Sequence, residues 1–389
     1  MKLFFIILVS VVLIIGAGLF IFAPHPPATP ATVKDVAGLE SYFQELTESG
    51  DPPSVAVAVV QGNDLVYNKA FGWADGPQEM PATMETVYHW WSMTKIATAV
   101  SILQLHEAGN LNLDDPVTDY LPYFTVDYPS AEQPAITIRH LLNHTSGLPD
   151  TVPAVVGWIN QNDAGTDQST IFQREWQNFN QLKFTPGSDN AYSNFGYMVL
   201  GEIIAVVSGQ PYEDYVRAHV LQPLQMTQTD FVYTDTMLPD AATGSHPMVH
   251  IFTPLLPFFV DMDLLVRERV GNRYWFERIY IDATPPTGLI GPAEDATKLL
   301  TALSDDSTFL AAESIELMRP HGEERPLGWA EFGEENGRLW VQHRGGGPGF
   351  ATIMRLYPEE ELGIVILANG TNLAGEALTE LVAELMMDS

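Results

Sequence analysis

Cysteine is absent from the 389 residues, which excludes disulfides, thiolate metal sites and a cysteine nucleophile. Positive charge is scarce: 18 Lys and Arg stand against 49 Asp and Glu, a formal net charge of −31 with a pI near 4.4. Such a chain lacks the clustered basic face that displaces counterions from nucleic acid, so no nucleic-acid partner is expected. Docking on anionic headgroups is disfavoured for the same reason. The acidic surface reads first as solubility by repulsion, with a salty environment as the other reading. Disorder is excluded by what is present, since 46% of residues are hydrophobic and 11% aromatic. The length exceeds the usual single core, which implies two domains or one composite domain.

One apolar run stands apart. Leu3 to Phe22 carries no charge over twenty residues, and as a helix it would span roughly 30 Å, the thickness of a bilayer's hydrocarbon. Lys2 precedes it and the next basic residue is Lys34, which leaves the remainder outside the cytoplasm. A cleaved signal peptide, giving a secreted protein, is the competing reading. Its apolar region is usually about 7–15 residues, and APHPPATPAT offers no clean small-x-small cleavage site. A retained membrane anchor over residues 1–23 is therefore expected. A stiff proline-rich linker over 24–32 follows it.

Beyond the linker, Val33, Val36, Leu39, Phe43 and Leu46 recur at helical spacing and predict a helix. Ser54–Val60 and Leu65–Ala74, joined through Gly62-Asn63, predict a β-hairpin. Arg338–His343, Phe350–Tyr357 and Gly363–Ala368 read as strands, and Leu373–Met387 as an amphipathic helix. Strands at both ends of the chain imply one sheet assembled from both. The folded part expected over 33–389 then has a sheet lobe (33–113 and 301–389) and a helix-rich lobe (114–300). Met248–Tyr280 is dense in aromatics, which read as core of the second lobe or, less simply, as an apolar lid.

Three short segments carry chemistry. Ser92-Met93-Thr94-Lys95 opens a helical pattern that ends at Gly109. Residues i and i+3 share a helix face, so the Lys95 amine can lie against the Ser92 hydroxyl and activate it. The plain alternative is a helix-capping serine. Tyr192-Ser193-Asn194 lies on a loop entering a helix. Tyr192 suits a phenolic acid–base, its pKa drawn down if Lys95 is close, and Asn194 offers an amide for orienting lysine or substrate. The alternatives are a packed aromatic and a helix cap. His343-Arg344-Gly345-Gly346-Gly347-Pro348-Gly349 precedes a strand pattern and not a helix, which argues against a phosphate loop. Its glycines admit close approach to the backbone, as an oxyanion hole requires. No Gly-x-Ser-x-Gly surrounds Ser92. No glutamate follows His140 in the His140/His144 pair, so that pair reads as structural, and neither metal nor cofactor is implied.

Taken together, the three segments resemble the serine β-lactamase and penicillin-binding protein superfamily. The similarity is greatest to the class C β-lactamase-like branch with its family VIII carboxylesterases and D-aminopeptidases. The resemblance runs from about Val33 to Met387 and includes Leu113–Val117, Ile136–Asp150, Gln222–Phe231, Gly288–Ile290 and Leu327–Trp329. It implies an α/β (α+β) fold: an antiparallel sheet flanked by helices, a mostly helical second lobe, and a site between them. It also implies Ser92 as acylated nucleophile, Lys95 as its activator and Tyr192 as the second element's tyrosine. Asn194, His343, Gly345 and Gly346 would serve the substrate and oxyanion, through backbone N–H groups of Ser92 and Gly346.

One departure matters. His343 stands where the lactamases carry the lysine of Lys-Thr-Gly, and near its ordinary pKa of about 6.5 it is mostly neutral at about pH 7.5. Anionic β-lactams should therefore bind poorly. The expected activity is cleavage of small esters or amides through an acyl-enzyme. The alternatives are a D-amino-acid peptidase acting on wall peptides, a β-lactamase, or a non-catalytic binding module.

Overall fold

The structure, a computed structural model, describes residues 33–387 apart from 129–133, 151–157, 162–167, 251–252, 254–255, 260, 305–307, 321 and 323. The apolar run Leu3–Phe22 and the linker 24–32 lie outside the described residues. Among the described residues no helix is long and apolar enough to cross a membrane.

The first helix, α1 (Val36–Glu48), begins three residues later than the apolar spacing suggested, because Asp35 caps it: its carboxylate accepts the Gly38 N–H at 2.8 Å. Strands β1 (Ser54–Gln61) and β2 (Asp64–Asp75) form the expected hairpin, and Met80–Pro81 adds a short β3. From the C-terminal end come β4 (Glu331–Glu335), β5 (Arg338–Gly347), β6 (Phe350–Tyr357) and β7 (Leu362–Ala368). All seven pair antiparallel in the order β4-β5-β6-β7-β1-β2-β3.

The interior strand β1 is buried on both faces, and the alternation of its side chains divides the core. Val55, Val57 and Val59 face α1 and the C-terminal helix Gly375–Met387, packing with Leu39, Phe43, Leu378 and Val382. Ala56, Ala58 and Val60 face the other way, into the main core. The alanines let the helix Ala293–Thr301 approach that face closely.

The middle of the chain is less purely helical than its sequence suggests. Besides the helices Ile138–Leu142 and Asn194–Ser208 it carries three small sheets: Tyr88–His89 with Ile290–Gly291, Ile159–Asn160 with Tyr280–Ile281, and Ser245–Pro247 with Arg273–Phe276 and Val266–Val270. In the aromatic stretch, Trp275 and Phe276 are buried, as a core reading requires. The side chains of Phe252, Phe258 and Phe259 lie outside the described residues.

Candidate active site

Ser92 sits on a tight 3₁₀ turn, Trp91–Met93, that runs into the long helix Thr94–Glu107. Trp91 holds φ at +50°, the left-handed region that L side chains rarely adopt. Such a conformation costs about 1–3 kcal/mol and survives only where surroundings enforce it. Here they do. The Trp90 N–H donates to the Leu289 carbonyl at 2.9 Å, the Trp90 indole donates to the Gly291 carbonyl at 3.0 Å, and the Thr352 hydroxyl donates to the Trp90 carbonyl at 3.0 Å. The turn is thus fixed from two elements that flank it.

One helical turn on, the Lys95 amine lies 3.2 Å from Ser92 Oγ, 2.8 Å from Asn194 Oδ1 and 2.9 Å from the Pro286 carbonyl. It is fully buried, and burial drives its pKa well below the ordinary lysine value, with the Asp150 carboxylate opposing. The i, i+3 relation that the sequence offered is realised. The Pro286 carbonyl, 191 residues away, was invisible to it.

The second segment divides its labour differently from its plain reading. Ser193, not Asn194, caps the helix Asn194–Ser208: its hydroxyl accepts the Gly196 N–H at 3.0 Å and donates to the Pro149 carbonyl at 2.9 Å. That leaves the Asn194 amide to bridge Lys95 and Asp150. The Tyr192 ring lies 4.6 Å from the His144 ring and 6.0 Å from the His343 ring, with the Lys95 amine 4.9 Å from its centroid. Proximity to Lys95 does not lower the phenol. Burial raises its pKa, and the Ser92 hydroxyl beside it offsets only part of that. The expected lowering is therefore reversed, because desolvation of a phenolate outweighs one desolvated amine.

His343 is 1% exposed and places Nδ1 2.9 Å from the Arg344 carbonyl. Burial first, then the Lys95 charge, pushes its pKa down to about 3. The ordinary titration near 6.5 expected from sequence is corrected accordingly, and the ring stays neutral at physiological pH. Arg344 points the opposite way, exposed, in ion pairs with Glu331 and with Glu376 at 2.8 Å. It is not available to replace a cation in the cleft.

The glycine run lengthens β5 beyond His343 to Gly347, closed by Pro348 and by Gly349 at φ +83°. β4 pairs only as far as Gln342, so the outer edge of 343–347 faces the Ser92 turn. Gly345 must be glycine: a Cβ would stand 2.1 Å from the Trp90 carbonyl. Gly346 has open space at that position. Because Gly347 and Phe350 close the hairpin, antiparallel alternation turns the Gly346 N–H away from β6, toward the nucleophile.

His140 is a capping residue, its Nδ1 accepting the Thr137 N–H at 3.1 Å. His144 is buried beside Tyr192, with Nδ1 accepting the Ser193 N–H at 3.2 Å. Among the described residues no cluster of His, Asp and Glu suits a metal ion.

A model of the Beta-lactamase family matches residues 39–385. The chain belongs to the β-lactamase family. Protein flp of Staphylococcus aureus is 28% identical over 337 residues, which are 85% of this chain and 62% of that protein, so the chain spans under two thirds of that relative. Penicillin-binding protein 4* of Bacillus subtilis is 28% identical over 347 residues, 85% of this chain and 71% of its own. Among solved structures, the octameric penicillin-binding protein homologue from Pyrococcus abyssi superposes with a TM-score of 0.72 at 24% identity, covering 91% of this chain and 78% of its own. The D-amino acid amidase from Ochrobactrum anthropi does so at 0.71 and 21%, covering 90% and 97%. EstCE1, a hydrolase with promiscuous acyltransferase activity, superposes at 0.66 and 22%, covering 86% and 93%. These likenesses establish the shared fold.

Proposed function

We propose that this protein is a serine hydrolase that cleaves small ester or amide bonds through an acyl-enzyme on Ser92. The observation that carries the reading is the fully buried Lys95 amine, 3.2 Å from Ser92 Oγ and with its pKa pressed down by desolvation. A neutral amine is a base, and a serine needs one to become a nucleophile. Lys95 takes the Ser92 proton as Oγ attacks the carbonyl carbon. The oxyanion gathers at the N–H groups of Ser92 and Gly346, each such donor typically contributing about 10²–10³ in rate. As the tetrahedral intermediate collapses, the leaving alkoxide or amine takes a proton delivered by Lys95 through the Tyr192 phenol. Water then attacks the acyl ester by the same steps in reverse.

The neutral His343 and the outward Arg344 favour substrates without a carboxylate near the scissile bond. Esters and uncharged amides therefore rank above β-lactams. Resemblance to a D-amino acid amidase makes D-amino acid amides the amide class to try first. For placement in the cell we propose that Leu3–Phe22 anchors the chain with its catalytic domain outside the cytoplasm, a reading supported by the length and charge pattern of that run.

A serine-directed fluorophosphonate should label the wild type and spare Ser92→Ala. Hydrolysis of p-nitrophenyl esters, D-amino acid amides and nitrocefin by the same two proteins then ranks the substrates. Equal labelling of both proteins would remove Ser92 from the chemistry. Release of the full chain from membranes by a carbonate wash would overturn the anchor.

A further inference from the structure

We infer that Asp150 is a positioning residue: through Asn194 it fixes which way the Lys95 amine presents its lone pair, and so aims that base at Ser92. The inference rests on the serine-hydrolase reading and adds to it a residue 58 positions from the nucleophile, in the segment that follows the helix Ile138–Leu142.

The geometry is that of a tetrahedral nitrogen with three free corners. Two corners of Lys95 Nζ point at acceptors, Asn194 Oδ1 at 2.8 Å and the Pro286 carbonyl at 2.9 Å. A neutral amine has two N–H donors, and those two acceptors use both. The third corner, where the lone pair then sits, faces Ser92 Oγ at 3.2 Å. The pattern holds only if Asn194 turns its oxygen to the lysine. An amide turned over would put its NH₂ there instead and hydrogen-bond to the lone pair, drawing it away from the serine. Asp150 prevents that. Its Oδ1 lies 3.0 Å from Asn194 Nδ2, with the Asn194 backbone N–H at 3.5 Å. An ionised carboxylate only accepts, so the amide must offer its NH₂ to Asp150 and its oxygen to Lys95.

The same carboxylate supplies negative charge to an otherwise dry amine, which opposes the effect of burial on Lys95. The other titratable groups that face Lys95 are Tyr192, Tyr197, His144 and His343, with Arg325, Arg344 and Glu331 outside them. Burial keeps the tyrosines as phenols and the histidines neutral at physiological pH. Asp150 is the carboxylate whose charge bears on this amine.

The test reads the pH dependence of fluorophosphonate labelling and of ester kcat/KM in three full-length proteins: wild type, Asp150→Asn, and the exchanged pair Asp150→Asn with Asn194→Asp. Asp150→Asn removes the charge and frees the Asn194 amide to turn. Its kcat/KM should fall about 10–100-fold with KM little changed, and the acid limb should move to lower pH. In the exchanged pair a carboxylate touches the amine directly, so the limb should move to higher pH, by about one unit or more. A residue that merely supports the loop would lower the thermal midpoint and move neither limb. An acid limb that stays in place in both variants, or kcat/KM within about twofold of wild type in Asp150→Asn, overturns the inference. Labelling of the wild type that does not require Ser92 would instead strike the serine-hydrolase reading, and the two failures are separable.

Discussion

Gly347 lies directly beneath the indole of Trp91: a Cβ on Gly347 would stand 2.3 Å from that ring. Its neighbour Gly346 faces open space. The strained Trp91 adjoins Ser92, so anything that lifts the indole moves the nucleophile.

Alanine at these two positions should therefore act differently. Gly347→Ala is expected to lower both the thermal midpoint and kcat/KM, the latter by about a hundredfold for displacement of the order of an ångström. Gly346→Ala should leave the midpoint within about 1–2 °C and affect only substrates whose acyl group meets the added methyl. Calorimetry and ester kinetics on both variants check this. Equal melting of the two would mean that the Trp91 contact does not fix the turn.

Acid should unfold the protein partly through its histidines. His343 binds its proton only near pH 3 in the fold, against about 6.5 in the unfolded chain. Between those values the unfolded chain holds the extra proton, so stability falls as pH drops through the interval. For one such histidine the loss from pH 6 to pH 4 is about 2–3 kcal/mol. Urea unfolding of His343→Gln should show a loss smaller by about that amount. Parallel curves for the two proteins would mean that His343 protonates in the fold as freely as in the unfolded chain.

Restoring a cation tests substrate charge. His343→Lys should raise kcat/KM for a penicillin several-fold relative to a neutral ester, because burial disfavours a charged amine at this position until the penicillin carboxylate pairs with it. Side-by-side kinetics at pH 7.5 decide the matter. An unchanged ratio would show that the missing charge does not limit penicillin turnover.

Lys95→Met should abolish hydrolysis, by about a thousandfold or more. It should also change how stability varies with pH. The unfolded chain protonates Lys95 near its ordinary value, whereas the fold resists it. Wild-type stability therefore rises as pH climbs toward about 10, and the Met variant lacks that component. The melting point of the variant minus that of wild type should shrink from pH 7 to pH 10. A constant difference would show that buried Lys95 keeps an ordinary pKa.

The sheet was legible because its signals are local: β1 is a short apolar run, Gly62-Asn63 turns the hairpin, and β6 and β7 read directly as strands. Ser92 and Lys95 were legible because three residues on one helix fix their relation whatever surrounds them. The rest depended on contacts across long separations. Nothing near Asn194 in sequence shows that Ser193 takes the cap and leaves the amide to Lys95. The Pro286 carbonyl and the Asp150 carboxylate reach the site from other loops, and Asp150 stood in sequence only as the last residue of a longer similar block. Burial is likewise a property of the assembled fold, which is why the pKa values expected for His343 and Tyr192 required correction.

Register between β1 and β7 sets Val55 opposite Ala368, more than three hundred residues apart. A ribosome has therefore made the long stretch between them before β1 meets one of its two neighbours. Until then β1 has only β2 beside it, and the backbone N–H and C=O groups of its other edge are open to other chains. Synthesis of β7, more than any early nucleus, times the assembly of this sheet, and a chain cut short before β7 would leave β1 paired on one side only, with β2.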